Sequence, residues 1–233
     1  MTVAVRALRP CMTGSTDELA VRCADWIAER LQRALADRPF ASLAVSGGNS
    51  PTPLFQELAV RGVTWDRVHI FQVDERLAPN GSGARNATQL QDVLLGPLHH
   101  PSAMTHLVDA GADRPYRDIA RDYEAELRRF TGGVLDVVHL GLGDDGHTAS
   151  LVPGDRLLGE ATRLVGSTGL YNGNHRVSLT YPTLAMARHI AWFAVGAGKA
   201  QMVKRLRASD PSIPAGRVFG RDEMIFADMA AVR

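Results

Sequence analysis

Residues 135–153 read LDVVHLGLGDDGHTASLVP, and no other stretch limits the fold so tightly. Leu135, Val137, Val138 and Leu140 form an apolar, β-branched run too short for a helix, which predicts a buried strand. Gly141, Gly143 and Gly146 then break the strand into a tight turn carrying Asp144, Asp145 and His147, with Thr148 and Ser150 behind. Asp and Gly also populate plain surface turns. Open α/β sheets, however, build their ligand sites on loops of this kind, at the carboxyl ends of the strands.

The rest of the chain alternates in the same sense. Val3–Leu8 is expected as a short edge strand closed by Pro10. Thr16-Asp17-Glu18 opens an amphipathic helix to Ala36, with Leu19, Cys23, Ile27, Leu31 and Leu35 inward. Strands are expected at 43–46, 68–73, 105–108, 163–165, 176–179, 190–195, 218–219 and 224–227. Helices are expected after Pro51 and Pro53, from Asn86 to Leu95, over 116–130 (Ile119, Tyr123 and Leu127 inward), over 182–187 and over 199–208. Strand–helix alternation of this length predicts a single α/β domain over residues 1–233, with a mostly parallel sheet covered by helices on both faces.

Net charge excludes little and promises little. At +1 over 233 residues it gives no reason to expect nucleic acid or a membrane surface as a partner. Cys11 and Cys23 have no metal-ligand spacing, and MTVAVRALRP contains no long apolar segment. A reduced, cytoplasmic setting is therefore expected, for a monomer or homodimer.

Four further stretches carry chemistry. Ser46-Gly47-Gly48-Asn49-Ser50 lies between a strand and a helix start, where backbone N–H groups and the helix dipole can cradle a phosphate. It is neither a G-x-G-x-x-G fingerprint nor a P-loop, and a plain strand-to-helix turn would look similar. Asp74-Glu75-Arg76 ends a strand and offers carboxylates beside a guanidinium, which could equally form a solvated ion pair. Arg176 and Lys199 stand at junctions where a sugar phosphate would need charge-assisted partners. Of the remaining histidines only His175, next to Arg176, is held open as a site residue. Asp144, Asp145 and His147 lack a fourth spaced ligand, HExxH is absent, and no G-x-S-x-G elbow exposes a serine. Acid–base chemistry on a phosphorylated small molecule, with no metal or cofactor, is what these residues suit.

Together, SGGNSPTPL, Trp65, the DER at 74–76, Asn86, GLGDDGHTASLVP, RVSLT and GAGK resemble the 6-phosphogluconolactonase family, in family order from residue 46 to about 204. The resemblance implies a modified Rossmann-like fold and cofactor-free hydrolysis of 6-phospho-D-glucono-1,5-lactone to 6-phosphogluconate, in the pentose phosphate pathway. In that reaction His147 would take a proton from water, Asp145 or Asp74 would orient the imidazole, and Arg76 would offset charge on the carbonyl oxygen. The 46–50 loop, Arg176 and Lys199 would hold the phosphate. Three departures bear on this: SGGNS where the family has SGGST, Arg85-Asn86 where Ser-Asn commonly follows DER, and YNGNH where the loop before RVSLT is usually Pro-rich. The last two are expected to touch sugar specificity. An amino-sugar-phosphate deaminase or isomerase, and a non-catalytic sugar-phosphate sensor, are the rivals on the same scaffold.

Overall fold

The computed structural model describes residues 7–110 and 114–232. Its main sheet has seven strands: β1 (Cys11–Gly14), β2 (Ala41–Val45), β3 (Val68–Gln72), β5 (Thr105–His106), β6 (Val137–Leu140), β9 (His189–Ala194) and β10 (Asp222–Asp228). Their order is β1-β10-β9-β6-β2-β3-β5, and every pairing is parallel. From β2 the chain winds outward through β3 to β5; from β6 it winds the other way. The β2–β6 boundary is thus a topological switch point, where the loops leaving neighbouring strands part and a crevice opens.

A parallel sheet must be covered on both faces, and period-2 alternation along each strand supplies both. Leu43, Val45, Ile70, Val137 and Phe193 point to one side, against α1 (Thr16–Asp37) and α2 (Thr52–Ala59). Ala44, Phe71, Val138, Leu140 and Trp192 point to the other, against α4 (Tyr116–Thr131) and α6 (Ala200–Arg207). Helix α1 starts at a capping box in which the Ser15 hydroxyl accepts from the Glu18 N–H and Glu18 reaches back to the Ser15 N–H. The helix following β3, α3 (Asn86–Leu90), runs into a wider π-turn at Gln91–Leu95. α5 (Tyr181–Met186) and the terminal α7 (Met229–Val232) are short.

Three expectations change. The edge strand expected at Val3–Leu8 falls mostly outside the described residues; Ala7 and Leu8 carry no strand, and β1 begins after Pro10. Val218-Phe219 is not a strand either, because its backbone closes a 3₁₀ turn. The larger revision concerns Asp74–Arg76. These residues do not end β3. They form their own strand, β4, in a second sheet with β8 (Arg176–Leu179) and β7 (Val165–Ser167). That sheet is antiparallel, and its register sets Asp74 opposite Ser178 and Arg76 opposite Arg176.

Candidate active site

The glycine turn after β6 and the double-glycine turn after β2 face one cleft of about 400 Å³ at the carboxyl ends of the central strands. His147, Asp145, Asp74, Arg76, Arg176 and Lys199 all reach it, as do Ser46, Gly47, Gly48 and Ser50. Asn49 is exposed and does not line it.

His147 is held by its own turn. Its backbone N–H donates to Asp145 Oδ1 at 3.0 Å, and its ring Nδ1 lies 2.6 Å from the same oxygen. A carboxylate can only accept, so Nδ1 carries the proton and Nε2 keeps a free lone pair. Burial works to raise the Asp145 carboxyl, yet the His147 backbone N–H and the charge and hydrogen bond of its ring outweigh it, leaving the pKa below the ordinary range. Gly143 makes the geometry possible: a Cβ there would overlap the His147 ring. Its N–H closes the turn onto the His147 carbonyl at 2.8 Å.

The choice between Asp145 and Asp74 as partner of the imidazole is therefore made by contact with Asp145. Asp74 is buried elsewhere in the site, its Oδ2 accepting from the Ser150 hydroxyl at 2.5 Å and its Oδ1 from Asn86 Nδ2 at 3.4 Å. Burial pushes the Asp74 carboxyl upward, against the Ser150 hydrogen bond and the nearby Arg176 charge. Its neighbour Glu75 alternates to the opposite face of β4. There it accepts from Gln72, from Arg85 and from the backbone N–H groups of Asn86 and Ala87 at the start of α3. Two adjacent carboxylates thus have separate duties: one faces the cleft, the other builds its wall.

The cations come from two directions. The β4–β8 register places Arg76 directly across from Arg176, an arrangement that like charges disfavour without an anion between them. Burial disfavours the charge on Arg176, Asp74 supports it, and Arg76 opposes it; Arg176 Nε has no hydrogen-bond partner among the described residues. Lys199, after the glycine turn at 196–198, ion-pairs with Asp144 on the His147 turn. The phosphate cradle expected from 46–50 is only partly free, because the Gly48 N–H donates to Gln89 Oε1 at 2.7 Å. Gly47 is required for another reason: a Cβ there would run into the Asn86 side chain.

Several contributors escaped the sequence reading. Gln89 and the floor residue His139 carry no local motif, and Tyr171 enters only as part of the YNGNH loop. His139 is buried on β6; its Nδ1 accepts from the Ser46 N–H, and burial drives its imidazole down to about 3. Of the three departures from the family pattern, the first reaches the cleft through Ser50 and the last through Tyr171. Arg85 turns away, to Glu75 and the Val108 carbonyl, so the expected effect of Arg85 on sugar specificity has no direct contact behind it. His175, held open, instead stacks on Tyr116 at 4.1 Å outside the cleft.

Comparison with known proteins agrees with this architecture. The family model described as glucosamine-6-phosphate isomerases/6-phosphogluconolactonase matches residues 14–226. A 6-phosphogluconolactonase of Synechocystis is 33% identical over 209 residues, 86% of each chain. The crystal structure of 6-phosphogluconolactonase from Thermotoga maritima superposes with a TM-score of 0.85 at 26% identity, over 94% of this chain and 99% of that one. A monomeric glucosamine-6-phosphate deaminase shares the fold, with a TM-score of 0.83, at 17% identity over 96% of this chain and all of its own. Sheet order, the two glycine turns at the switch point and the matched 14–226 span agree: this chain belongs to the glucosamine-6-phosphate isomerase/6-phosphogluconolactonase family.

Proposed function

We propose that the protein hydrolyses 6-phospho-D-glucono-1,5-lactone to 6-phospho-D-gluconate, as one α/β domain acting in the cytoplasm without a cofactor. One observation carries the proposal: an imidazole with a free Nε2, backed by a carboxylate, opens onto the same cleft as two opposed, buried or half-buried arginines. A lactone is an ester, so its opening needs an activated water and compensation for negative charge on the carbonyl oxygen. His147 Nε2 takes the proton from water as the water oxygen bonds to the carbonyl carbon, Asp145 stabilises the imidazolium, and the proton is then returned to the ring oxygen as the tetrahedral intermediate collapses and the ring C–O bond breaks.

The phosphate dianion is assigned to Arg76 and Arg176, because their register makes one site of them. This moves Arg76 from the carbonyl oxygen to the phosphate. Lys199, ion-paired with Asp144 on the His147 turn, is likewise reassigned, from the phosphate to the oxyanion. The Ser46–Gly48 turn lines the same cleft and fixes the sugar against His147.

The test is a pH-stat measurement of acid release from fresh 6-phosphogluconolactone, corrected for spontaneous opening. Wild-type protein accelerates the release, and His147→Ala lowers kcat by about 10²–10⁴ with little change in KM. Wild-type-like kcat in that variant removes His147 from the mechanism. Ammonia release from glucosamine 6-phosphate, without lactone hydrolysis, would establish the deaminase instead.

A further inference from the structure

The hairpin joining β7 to β8 ends over the cleft. Asn172 and Gly173 occupy its tip with φ of 47° and 78°, the left-handed pair of a tight two-residue hairpin turn, and Tyr171 pairs with Asn174 across it. The turn thereby fixes where the Tyr171 side chain emerges. Its hydroxyl lies 3.3 Å from Asp145 Oδ2, the oxygen that His147 does not use. Its ring meets the His147 ring edge-on at 6.0 Å between centroids, and the Arg176 guanidinium lies over the ring at 4.8 Å. One side chain therefore touches both poles of the site.

We propose that Tyr171 is a positioning residue, which moderates the Asp145–His147 pair through its hydroxyl and seats Arg176 through its ring. The proposal rests on the lactonase assignment only for what Arg176 binds. The hydroxyl donates to Asp145 Oδ2 and draws charge from the carboxylate, so Asp145 supports the imidazolium less strongly than it would alone. Burial, followed by the charge of Asp145, holds the phenol above its ordinary pKa, so it stays a donor throughout the working range. Meanwhile the π face supports the guanidinium against the loss of water and against Arg76. The other charged groups around the cleft are Asp74, Arg76, Asp144 and Lys199, with neutral His139 at the floor. Asp144 pairs with Lys199, and Asp74 lies with Ser150 and Arg176.

The experiment compares Tyr171→Phe and Tyr171→Ala with wild type by two readouts. The first is the titration of the His147 imidazole by NMR in histidine-labelled protein, assigned by its disappearance in His147→Ala; this requires no substrate. The second is the pH dependence of kcat/KM, with KM, for the lactone. Phe removes the hydroxyl alone: the imidazole titration and the acidic limb move up by about 0.3–0.8 pH unit, with KM within about twofold. Ala removes the ring as well: the same shift appears and KM rises by about 3–10-fold. A titration unmoved in both variants overturns the link to Asp145, and a KM unmoved in the Ala variant overturns the seat for Arg176. If wild type fails to accelerate lactone opening, the lactonase assignment falls, while the titration still decides for or against the link from Tyr171 to Asp145.

Discussion

Replacing Asp145 by Asn isolates the charge behind the imidazole while keeping an oxygen for Nδ1–H. With about 4 Å between charge centres, the attraction in the protonated pair is about 1 kcal/mol in bulk water and about 4 kcal/mol at an effective dielectric of ~20. His147 is 27% and Asp145 39% exposed, so the solvated end of that range applies. We take about 1–2 kcal/mol, which is about 0.7–1.5 pH unit in the imidazole titration and roughly 5–30-fold in kcat/KM near neutrality. The sign follows from which form Asp145 favours. It stabilises the imidazolium, so removing its charge lowers the imidazole pKa and moves the acidic limb down. Tyr171→Phe moves that limb the other way, which makes the pair of variants a stronger test than either alone. The assay is the corrected pH-stat rate between about pH 5 and 8. A kcat/KM within twofold of wild type and an unmoved acidic limb, in a protein whose His147→Ala variant is inactive, would refute the reasoning and leave the 2.6 Å contact without a catalytic consequence.

Three other outcomes are expected. Gly143→Ala forces the His147 ring aside and should lower kcat by at least about tenfold with a near-native melting transition, checked by thermal unfolding beside the activity assay. Arg176→Gln should raise KM far more than it lowers kcat, whereas Lys199→Gln should lower kcat with the smaller change in KM; steady-state kinetics of both separate the phosphate pole from the reacting pole. Finally, His139 is neutral when folded, with its pKa driven down to about 3 by burial, while the unfolded chain binds its proton near pH 6.5. Its contribution to stability is complete above about pH 6.5 and falls by about 1.4 kcal/mol per pH unit down to the folded pKa. Urea midpoints measured from pH 7 to 4 check this, and the slope should be shallower in His139→Gln.

The structural likeness to a deaminase shows how little the scaffold alone says about chemistry. The side chains of the cleft were unequally legible. Asp145 and His147 are two residues apart in a glycine turn, so local chain geometry alone brings them into contact. Arg76 and Arg176 are a hundred residues apart, and no local signal announces that they oppose each other. Asp74–Arg76 is three residues long and wholly charged, which is why it read as the end of β3 rather than as a strand of another sheet. Its alternation then sends Glu75 to the α3 side, a separation that two adjacent acids in a sequence cannot reveal.

By itself the sequence determined the alternating strands and helices, the parallel sheet they imply and the glycine turns at the strand ends. These depend on periodicity, propensity and backbone freedom, all of which act within a few residues. Only tertiary structure decided that Asp74 is held by Ser150, that Gln89 occupies the Gly48 N–H, and that Tyr171 spans both poles of the cleft. Those outcomes depend on register and loop placement between segments tens of residues apart, where packing of the whole chain, and no nearby residue, selects the partner.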